Sequence, residues 1–115
     1  MSVEMLHNPR CSKSRQTLAI LQEKGVEPEI IDYLTTPPSK ERLLEILKLL
    51  DMSPRELMRK GEDAYKENNL ADPALSNEAL VQAMLDHPKL IERPIVLAGG
   101  KARIGRPPES VLEII

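Results

Sequence analysis

The strongest candidate for chemistry is Cys11, the only cysteine in a chain of 115 residues. It follows an Asn-Pro turn signal and directly precedes the segment 12–24, whose sequence predicts a helix. Free backbone N–H groups and the helix dipole at such a start favour negative charge, and Arg10, Lys13 and Arg15 add cations. The pattern predicts a thiolate nucleophile with a lowered pKa, rather than a buried cysteine that only fills space.

The first turn of this helix also predicts how the thiolate is used. Its N–H groups, at Ser12, Lys13 and Ser14, can hold an oxyanion against the sulfur. Ser14 stands where a C-x-x-C motif has its second cysteine, so a modified Cys11 must be released by an outside thiol. The alternative for Ser14 is an exposed first-turn residue without a chemical role.

The two histidines carry weaker signals. His7 stands four residues before Cys11 and either tunes the thiolate or forms a structural hydrogen bond. His87 precedes a proline at a helix end and is interpreted as a cap. Since no His/Cys cluster has the spacing of metal ligands, no metal is predicted.

Elements around Cys11 predict an α/β fold. A strand at 3–7, the helix at 12–24 and a strand at 29–33 suggest a parallel βαβ unit. Near the other end, Gly99-Gly100 predicts a hairpin between 95–97 and 101–104. A final helix is expected after Arg106-Pro107-Pro108-Glu109, and a mixed four-stranded sheet flanked by helices accounts for this order.

Between these segments, about 39–88 predicts a helical insertion. Ser39, Ser53 and Ser76 each stand where a helix can begin, and Ser53 with Glu56 forms the sequence of a capping box. Apolar residues follow at helical spacing, at Leu43, Ile46, Leu47 and Leu50 and again at Leu80, Val81, Met84 and Leu85. The length favours one domain, 1–115, that contains this insertion.

Composition narrows the classes of function. The net charge of −2 argues against a general nucleic-acid binder, which needs a basic surface. No apolar run is long enough to predict a membrane span, and no signal-peptide core is apparent at the N-terminus. A single cysteine fits a reducing compartment, so a cytoplasmic protein is expected.

Four motifs in register resemble the glutaredoxin-coupled arsenate reductases across essentially the whole chain. They are H-N-P-x-C-x-x-S from His7, E-L-M-R from Glu56, E-R-P-I-V from Glu92 and G-R-P-P-E from Gly105. The resemblance implies a thioredoxin-like fold, a mixed four-stranded sheet with a helical insertion. It also implies that Cys11 attacks arsenate.

The same resemblance implies a site around the thiolate. Arg59, Arg93 and Arg106 lie in matching motifs and would converge on the oxyanion, where guanidinium groups neutralise developing charge. Pro94 matches the cis-proline that faces the active cysteine in thioredoxin-like folds, the alternative being an ordinary trans proline. Arg10, where better-known relatives tend to have a small residue, could alter substrate preference or receive the carboxylates of glutathione.

The implied reaction uses glutathione as co-substrate and glutaredoxin as partner, with no bound cofactor, and a monomer is expected. Arsenate or a similar oxyanion would be the substrate. Two alternatives stay open: a general glutathione-dependent thiol reductase, and a redox regulator that binds RNA polymerase, as a related thioredoxin-like group does. The regulators typically carry C-x-x-C, which Ser14 removes here.

Overall fold

A computed structural model describes residues 2–115 of the chain. The chain divides into two units, a sheet unit formed by the chain up to Thr36 together with Arg93–Ile115, and a helical unit formed by Pro37–Glu92. The helical unit occupies the stretch in which the sequence predicts an insertion at about 39–88.

The sheet unit contains a mixed four-stranded sheet, which confirms the predicted α/β class. Strand order is β2-β1-β3-β4, with β1 parallel to β2 and antiparallel to β3, and β3 antiparallel to β4. Its elements are β1 (Val3–Leu6), helix α1 (Ser12–Glu23), β2 (Glu29–Ile31), β3 (Ile95–Ala98), β4 (Lys101–Ile104) and a 3-10 helix (Pro108–Glu113).

An aliphatic core covers one face of this sheet. Met5 on β1 pairs with Val96 on β3, and both side chains are completely buried. Helix α1 and the 3-10 helix pack against each other, and they add apolar side chains to the same cluster. The buried members of the cluster are Val3, Met5, Leu21, Val96, Ala98, Val111 and Ile114. The packing anchors α1, and with it the residues at its N-terminus.

The C-terminal segment differs from the expected α-helix. Pro108–Glu113 is a 3-10 helix, in which Ser110 donates its N–H to the carbonyl oxygen of Pro107 at 3.0 Å. Two consecutive prolines lack N–H donors, and a turn this short is commonly closed by the tighter i to i+3 bond. Of the apolar residues expected on this helix, Val111, Leu112 and Ile115, only Val111 is fully buried, and Leu112 is exposed. Ile114, which was not predicted, is buried in its place.

The helical unit contains four α-helices and a 3-10 turn. They are α2 (Lys40–Leu50), α3 (Pro54–Leu57), α4 (Asp63–Glu67), α5 (Asn77–Asp86) and the 3-10 turn Pro88–Leu90. Helix α2 packs against α5, and the predicted periodic positions supply their buried residues, Leu43, Ile46, Leu47, Leu80, Val81 and Met84. None of the helices between residues 2 and 115 is long and apolar enough to cross a membrane.

Serine side chains begin three of these helices, as the sequence predicts. Ser39 accepts the N–H of Arg42 at 3.1 Å, and Ser76 accepts the N–H of Ala79 at 3.1 Å. Ser53 forms a complete capping box with Glu56, in which each side chain accepts the backbone N–H of the other residue. The caps satisfy N–H groups that the helix itself leaves without acceptors.

Helix α4 is an element that sequence reasoning missed. The guanidinium of Arg55 donates to the hydroxyl of Tyr65 at 3.2 Å and to the carbonyl oxygen of Asp72 at 2.9 Å. It also donates to the carbonyl oxygen of Leu70. The segment 63–72 is therefore ordered around one long side chain, a tertiary contact that local periodicity does not reveal.

Candidate active site

Cys11 occupies the N-cap position of α1, with its side chain only 8% exposed. Its own N–H donates to the carbonyl oxygen of Asn8 at 3.0 Å, and its carbonyl oxygen accepts the N–H of Arg15 at 3.0 Å. The N-cap is where a side chain faces the free N–H groups of the first turn. Cys11 thus stands at the position that serine or aspartate often occupies, although its sulfur forms no capping hydrogen bond.

The loop before the cysteine is held in one conformation by local bonds. Asn8 accepts the N–H of Arg10 on its Oδ1 atom at 3.0 Å, which is an Asx turn. The guanidinium of Arg15 donates to the carbonyl oxygen of Pro9 at 2.9 Å. These bonds fix the backbone from Asn8 to Cys11 and leave Arg10 exposed to solvent beside the thiol.

Arg106 is a cation that the structure places in contact with the sulfur. Its Nη2 atom lies 3.6 Å from Sγ of Cys11, within range of an N–H to sulfur hydrogen bond. Its Nε donates to the carbonyl oxygen of Arg93 at 2.9 Å. A neutral backbone oxygen therefore orients the guanidinium toward the thiol.

The surroundings favour the thiolate form of Cys11. Burial by itself raises the pKa of this thiol, but the N–H of Ser14, the charge of Arg93, the N–H of Lys13 and the charge of Arg106 together lower the pKa below its ordinary value. Two guanidinium groups and two first-turn N–H groups thus outweigh desolvation. Such an environment is typical of reactive rather than filler cysteines.

Arg93 and Pro94 precede the central strand β3. The Arg93–Pro94 peptide bond is cis, as the resemblance implies, and the Arg106–Pro107 bond, which was not predicted, is also cis. Two nitrogens of the Arg93 guanidinium, Nε and Nη1, are buried. The carbonyl oxygen of Pro94 accepts the N–H of Gly105 at 2.9 Å, which joins the two motifs E-R-P-I-V and G-R-P-P-E.

Ser14 forms a buried cluster with His7. The side chain of Ser14 is completely buried, and its Oγ lies 2.6 Å from Nδ1 of His7 and accepts the N–H of Asn8 at 3.0 Å. The exposed first-turn alternative for Ser14 is therefore wrong. What this residue offers an anion is its backbone N–H, because its hydroxyl is engaged elsewhere.

His7 is buried and favours its neutral form. Burial lowers its pKa, and the nearby charge of Arg15 lowers it further. The imidazole binds Ser14, whose N–H in turn stabilises the thiolate of Cys11. The structure therefore shows His7 as a hydrogen-bonded structural residue, and tuning of the Cys11 thiolate by His7 stays a prediction.

The other predicted contacts in the first turn are exposed. Ser12 and Lys13 lie at the surface at the start of α1, next to the cysteine.

His87 lies at the C-terminal end of α5, where its N–H donates to the carbonyl oxygen of Ala83 at 2.8 Å. Within residues 2–115, no three His, Cys, Asp or Glu side chains form a group that could hold a metal ion.

Arg59 lies in the helical unit, between two carboxylates. Its Nη1 atom is paired with Glu62, and its Nε lies 3.8 Å from the carboxylate of Glu92. Its backbone N–H donates to the carbonyl oxygen of Leu90 at 2.7 Å, beside a β-bridge between Met58 and Ile91. The side chains of Arg59 and Glu62 are each 28% exposed. Sequence reasoning missed both acidic partners, although Glu62 has the i, i+3 spacing that could have indicated it.

Comparisons with known proteins agree with this fold and cysteine site. The ArsC family model matches residues 6–114. An arsenate reductase of Neisseria meningitidis serogroup A is 48% identical over 98% of this chain and 97% of its own length. YfgD of Escherichia coli, whose function is uncharacterized, is 66% identical over 98% of this chain and 96% of its own length.

A solved structure extends the agreement to three dimensions. The structure of an arsenate reductase from Vibrio cholerae superposes with a TM-score of 0.97 at 55% identity, over 100% of this chain and 98% of that one. The sheet, the cysteine at the N-cap position of α1 and these matches define a thioredoxin-like α/β protein with a helical segment between β2 and β3. The chain belongs to the ArsC family.

Proposed function

We propose that the protein is an arsenate reductase in which Cys11 attacks the oxyanion and glutathione with glutaredoxin recycles it. The observation that carries the proposal is the guanidinium of Arg106, 3.6 Å from the sulfur of the residue at the N-cap position of α1. A thiolate and arsenate are both anions, so their approach requires cations and N–H groups at the point of attack. The names of several full-length relatives support arsenate as the substrate.

The first step forms a bond between sulfur and arsenic. The thiolate of Cys11 displaces one arsenate oxygen, which leaves as water after protonation. The N–H groups of Lys13 and Ser14, with Arg93 and Arg106, are suited to stabilise the charge that develops on the remaining oxygens. By family resemblance Arg59 supplies a third guanidinium, and Arg10, Ser12 and Pro94 line the substrate.

External thiols supply the two electrons. Glutathione displaces a second oxygen from the adduct as water, forming an arsenic–sulfur bond. A glutaredoxin thiolate then attacks the glutathione sulfur, forming a disulfide, and the broken arsenic–sulfur bond leaves its electron pair on arsenic, which becomes As(III). Hydrolysis of the remaining bond to Cys11 releases arsenite and restores the thiol. Ser14 supports this route, since it offers no second thiol at the C-x-x-C position.

This chemistry suits a monomer in a reducing cytoplasm, where glutathione keeps the resting cysteine reduced. No metal and no bound cofactor are needed, because sulfur carries the electrons throughout. Glutathione acts as a co-substrate that leaves as a disulfide with glutaredoxin.

One assay separates this function from its alternatives. Purified protein is given arsenate, glutathione and glutaredoxin, and arsenite formation is measured for the wild-type protein and for Cys11→Ser. Arsenite that forms only with the wild-type protein, and only when both thiols are present, supports the proposal. Full activity of Cys11→Ser would contradict every route through this sulfur.

Two further outcomes point to the alternatives. Absence of arsenite, with Cys11 still a low-pKa thiol that forms a mixed disulfide with glutathione, would favour a general glutathione-dependent thiol reductase. Absence of both reactions, with retention on immobilised RNA polymerase, would favour a regulator.

A further inference from the structure

Gly105 lies where the C-terminal segment of the sheet unit closely approaches α1 and Pro94. A Cβ atom at this position would lie 2.8 Å from Cγ of Pro94 and closer still to Oγ1 of Thr17. The Cγ2 atom of Thr17 would be 3.1 Å away. Gly105 has no positive φ, so its backbone conformation does not require glycine. The space between the C-terminal segment and α1 is what excludes a side chain.

Thr17 is the residue of α1 that fills this space from the other side. It is completely buried, one helical turn beyond Lys13, and its hydroxyl donates to the carbonyl oxygen of Lys13 at 2.8 Å. That bond, together with packing, holds the β-branched side chain in one orientation. Helix α1 therefore presents a rigid surface to the backbone at Gly105.

Arg106 follows Gly105, and hydrogen bonds connect residues 105–106 with residues 93–94. Gly105 donates its N–H to Pro94, and Arg106 donates its Nε to the carbonyl oxygen of Arg93 at 2.9 Å. On the other side of the contact, α1 follows its N-cap residue Cys11, whose sulfur lies 3.6 Å from Nη2 of Arg106. The contact at Gly105 therefore lies between the segment that carries the guanidinium and the helix that carries the sulfur at its start.

We infer that Gly105 and Thr17 form a spacer that sets the guanidinium of Arg106 against the sulfur of Cys11. Both are positioning residues, since neither touches the sulfur in the contacts described above. Their importance for turnover rests on the proposed function. Their effect on the thiolate does not, because the thiolate can be measured without arsenate.

The experiment measures the pH dependence of Cys11 alkylation by iodoacetamide, whose rate follows the thiolate fraction. Gly105→Ala pushes the C-terminal segment away from α1, so the midpoint of the profile moves to higher pH and the rate at pH 6 falls. The expected fall is severalfold, up to roughly the tenfold that one charge-assisted hydrogen bond is worth. Gly61→Ala is the matched control: nothing lies within 4 Å of its Cβ position and its φ is not positive, so its profile stays that of the wild-type protein.

Variants of Thr17 distinguish spacing from general damage. Thr17→Ala removes the two atoms that a Cβ at position 105 meets in α1, so Gly105→Ala/Thr17→Ala recovers part of the lost rate. Thr17→Val keeps the shape and loses only the hydroxyl bond to Lys13, so its profile stays close to that of the wild-type protein. Thr17→Ala alone loosens the contact and slows alkylation by a smaller factor than Gly105→Ala.

A double-mutant cycle tests whether the effect passes through Arg106. In an Arg106→Ala background, Gly105→Ala should change the alkylation profile no further. An equal shift with and without Arg106, or a Gly105→Ala variant that loses stability with an unchanged profile, overturns the inference. If Gly105→Ala does not fold, Thr17→Ala decides alone: an unchanged profile contradicts the inference, and a shift that requires Arg106 supports it.

Discussion

The two units of the chain hold their arginines in different ways. In the sheet unit, Arg106 donates to the carbonyl oxygen of Arg93 and turns its Nη2 to the sulfur of Cys11. In the helical unit, Arg59 lies between the carboxylates of Glu62 and Glu92. A carbonyl oxygen orients a guanidinium without cancelling its charge, whereas a carboxylate offsets that charge.

The difference indicates two ways in which a guanidinium group is held in place. Arg106 is oriented so that its charge acts on the sulfur even before substrate arrives, and it contributes to the lowered pKa of Cys11. Arg59 is kept in a defined place by its acidic neighbours Glu62 and Glu92. The first arrangement acts on the nucleophile, whereas the second fixes the guanidinium within the helical unit.

The largest effect is expected at Arg106. Arg106→Ala removes a donor aimed at the sulfur, so arsenate reduction should fall roughly 100-fold, as when one oxyanion donor is lost. Alkylation of Cys11 at pH 6 should slow as well. Arg59→Ala should lower kcat/KM for arsenate and leave alkylation unchanged, because its charge is already matched by carboxylates.

Arg103→Ala is the control for this comparison. Arg103 lies in the same unit as Arg106 but pairs with Glu113 at 3.8 Å, so both measurements should remain at wild-type values. Equal slowing of alkylation by Arg59→Ala and Arg106→Ala would remove the distinction between the two arrangements.

A second effect, on stability, is expected at Arg55 in the helical unit. Arg55→Ala leaves the carbonyl oxygens of Leu70 and Asp72 without this donor, which should lower the free energy of unfolding by about 2 kcal/mol. Arg55→Lys should lose most of the same free energy, since an ammonium group does not reproduce the guanidinium fork. Urea denaturation measures both. A lysine variant as stable as the wild-type protein would show that charge alone suffices here.

Both variants should leave the thiol untouched. Alkylation of Cys11 in Arg55→Ala at temperatures below its unfolding transition should match the wild-type rate, since Arg55 orders the segment 63–72 of the helical unit. A slowed rate would show that an arginine of the helical unit also affects the Cys11 thiol, which would contradict the difference between the two units.

A smaller effect is expected in the pH dependence of stability, from His7. Burial, and then the charge of Arg15, lower its folded-state pKa, so as pH falls through about 6.5 the unfolded chain binds a proton that the folded chain resists. Stability should therefore decrease with falling pH, until the lowered pKa is passed. His7→Asn cannot titrate but keeps a polar group near Ser14, so its unfolding free energy should depend less steeply on pH between 7 and 5. Identical slopes for the two proteins would contradict the lowered pKa.

Cys11 contributes in the same direction over a higher range. Its folded-state pKa is lowered, so its contribution to stability is complete above the ordinary thiol pKa and is lost as pH falls through the folded-state value. Comparing wild-type protein with His7→Asn cancels this contribution, because both retain Cys11.

The smallest effect is expected at the surface pair Lys40–Glu78 of the helical unit. The two groups lie 2.9 Å apart, and the pair lowers the pKa of Glu78, yet both side chains are well exposed. Solvent screens such a pair, so Glu78→Gln should leave the urea midpoint unchanged within error. A clear loss of stability would show that surface ion pairs of the helical unit contribute to the free energy of unfolding.

Local signals account for the parts of the fold that were predicted from sequence. Apolar spacing located α2 and α5, serine caps located their starts, and the Gly99-Gly100 signal located the β3–β4 hairpin. The position of Cys11 at a helix start also followed from neighbouring residues. These features depend on interactions within a few positions of one another, which a pattern can reveal.

Features that depend on the assembled chain could not be derived from local patterns. Arg106 is 95 positions from Cys11 in the sequence, and only the resemblance, not any pattern, associated the two. The burial of Ser14 against His7, the pairing of Arg59 with Glu92, and the contact at Gly105 likewise require the assembled chain. Helix α4 and the 3-10 helix at Pro108–Glu113 were missed or mistyped because tertiary contacts and consecutive prolines outweigh local propensity.

The order of strands has a consequence for how the protein is made. Strand β1 pairs with β3, with Val3 opposite Ala98, whereas the helical unit is one continuous segment. During synthesis the segment 37–92 can form its internal contacts before β3, the antiparallel partner of β1, has been made. Arg93 and Arg106, whose charges contribute to the lowered pKa of Cys11, both follow the helical unit in the sequence. The two guanidinium groups therefore join the site only after the helical unit has been synthesised.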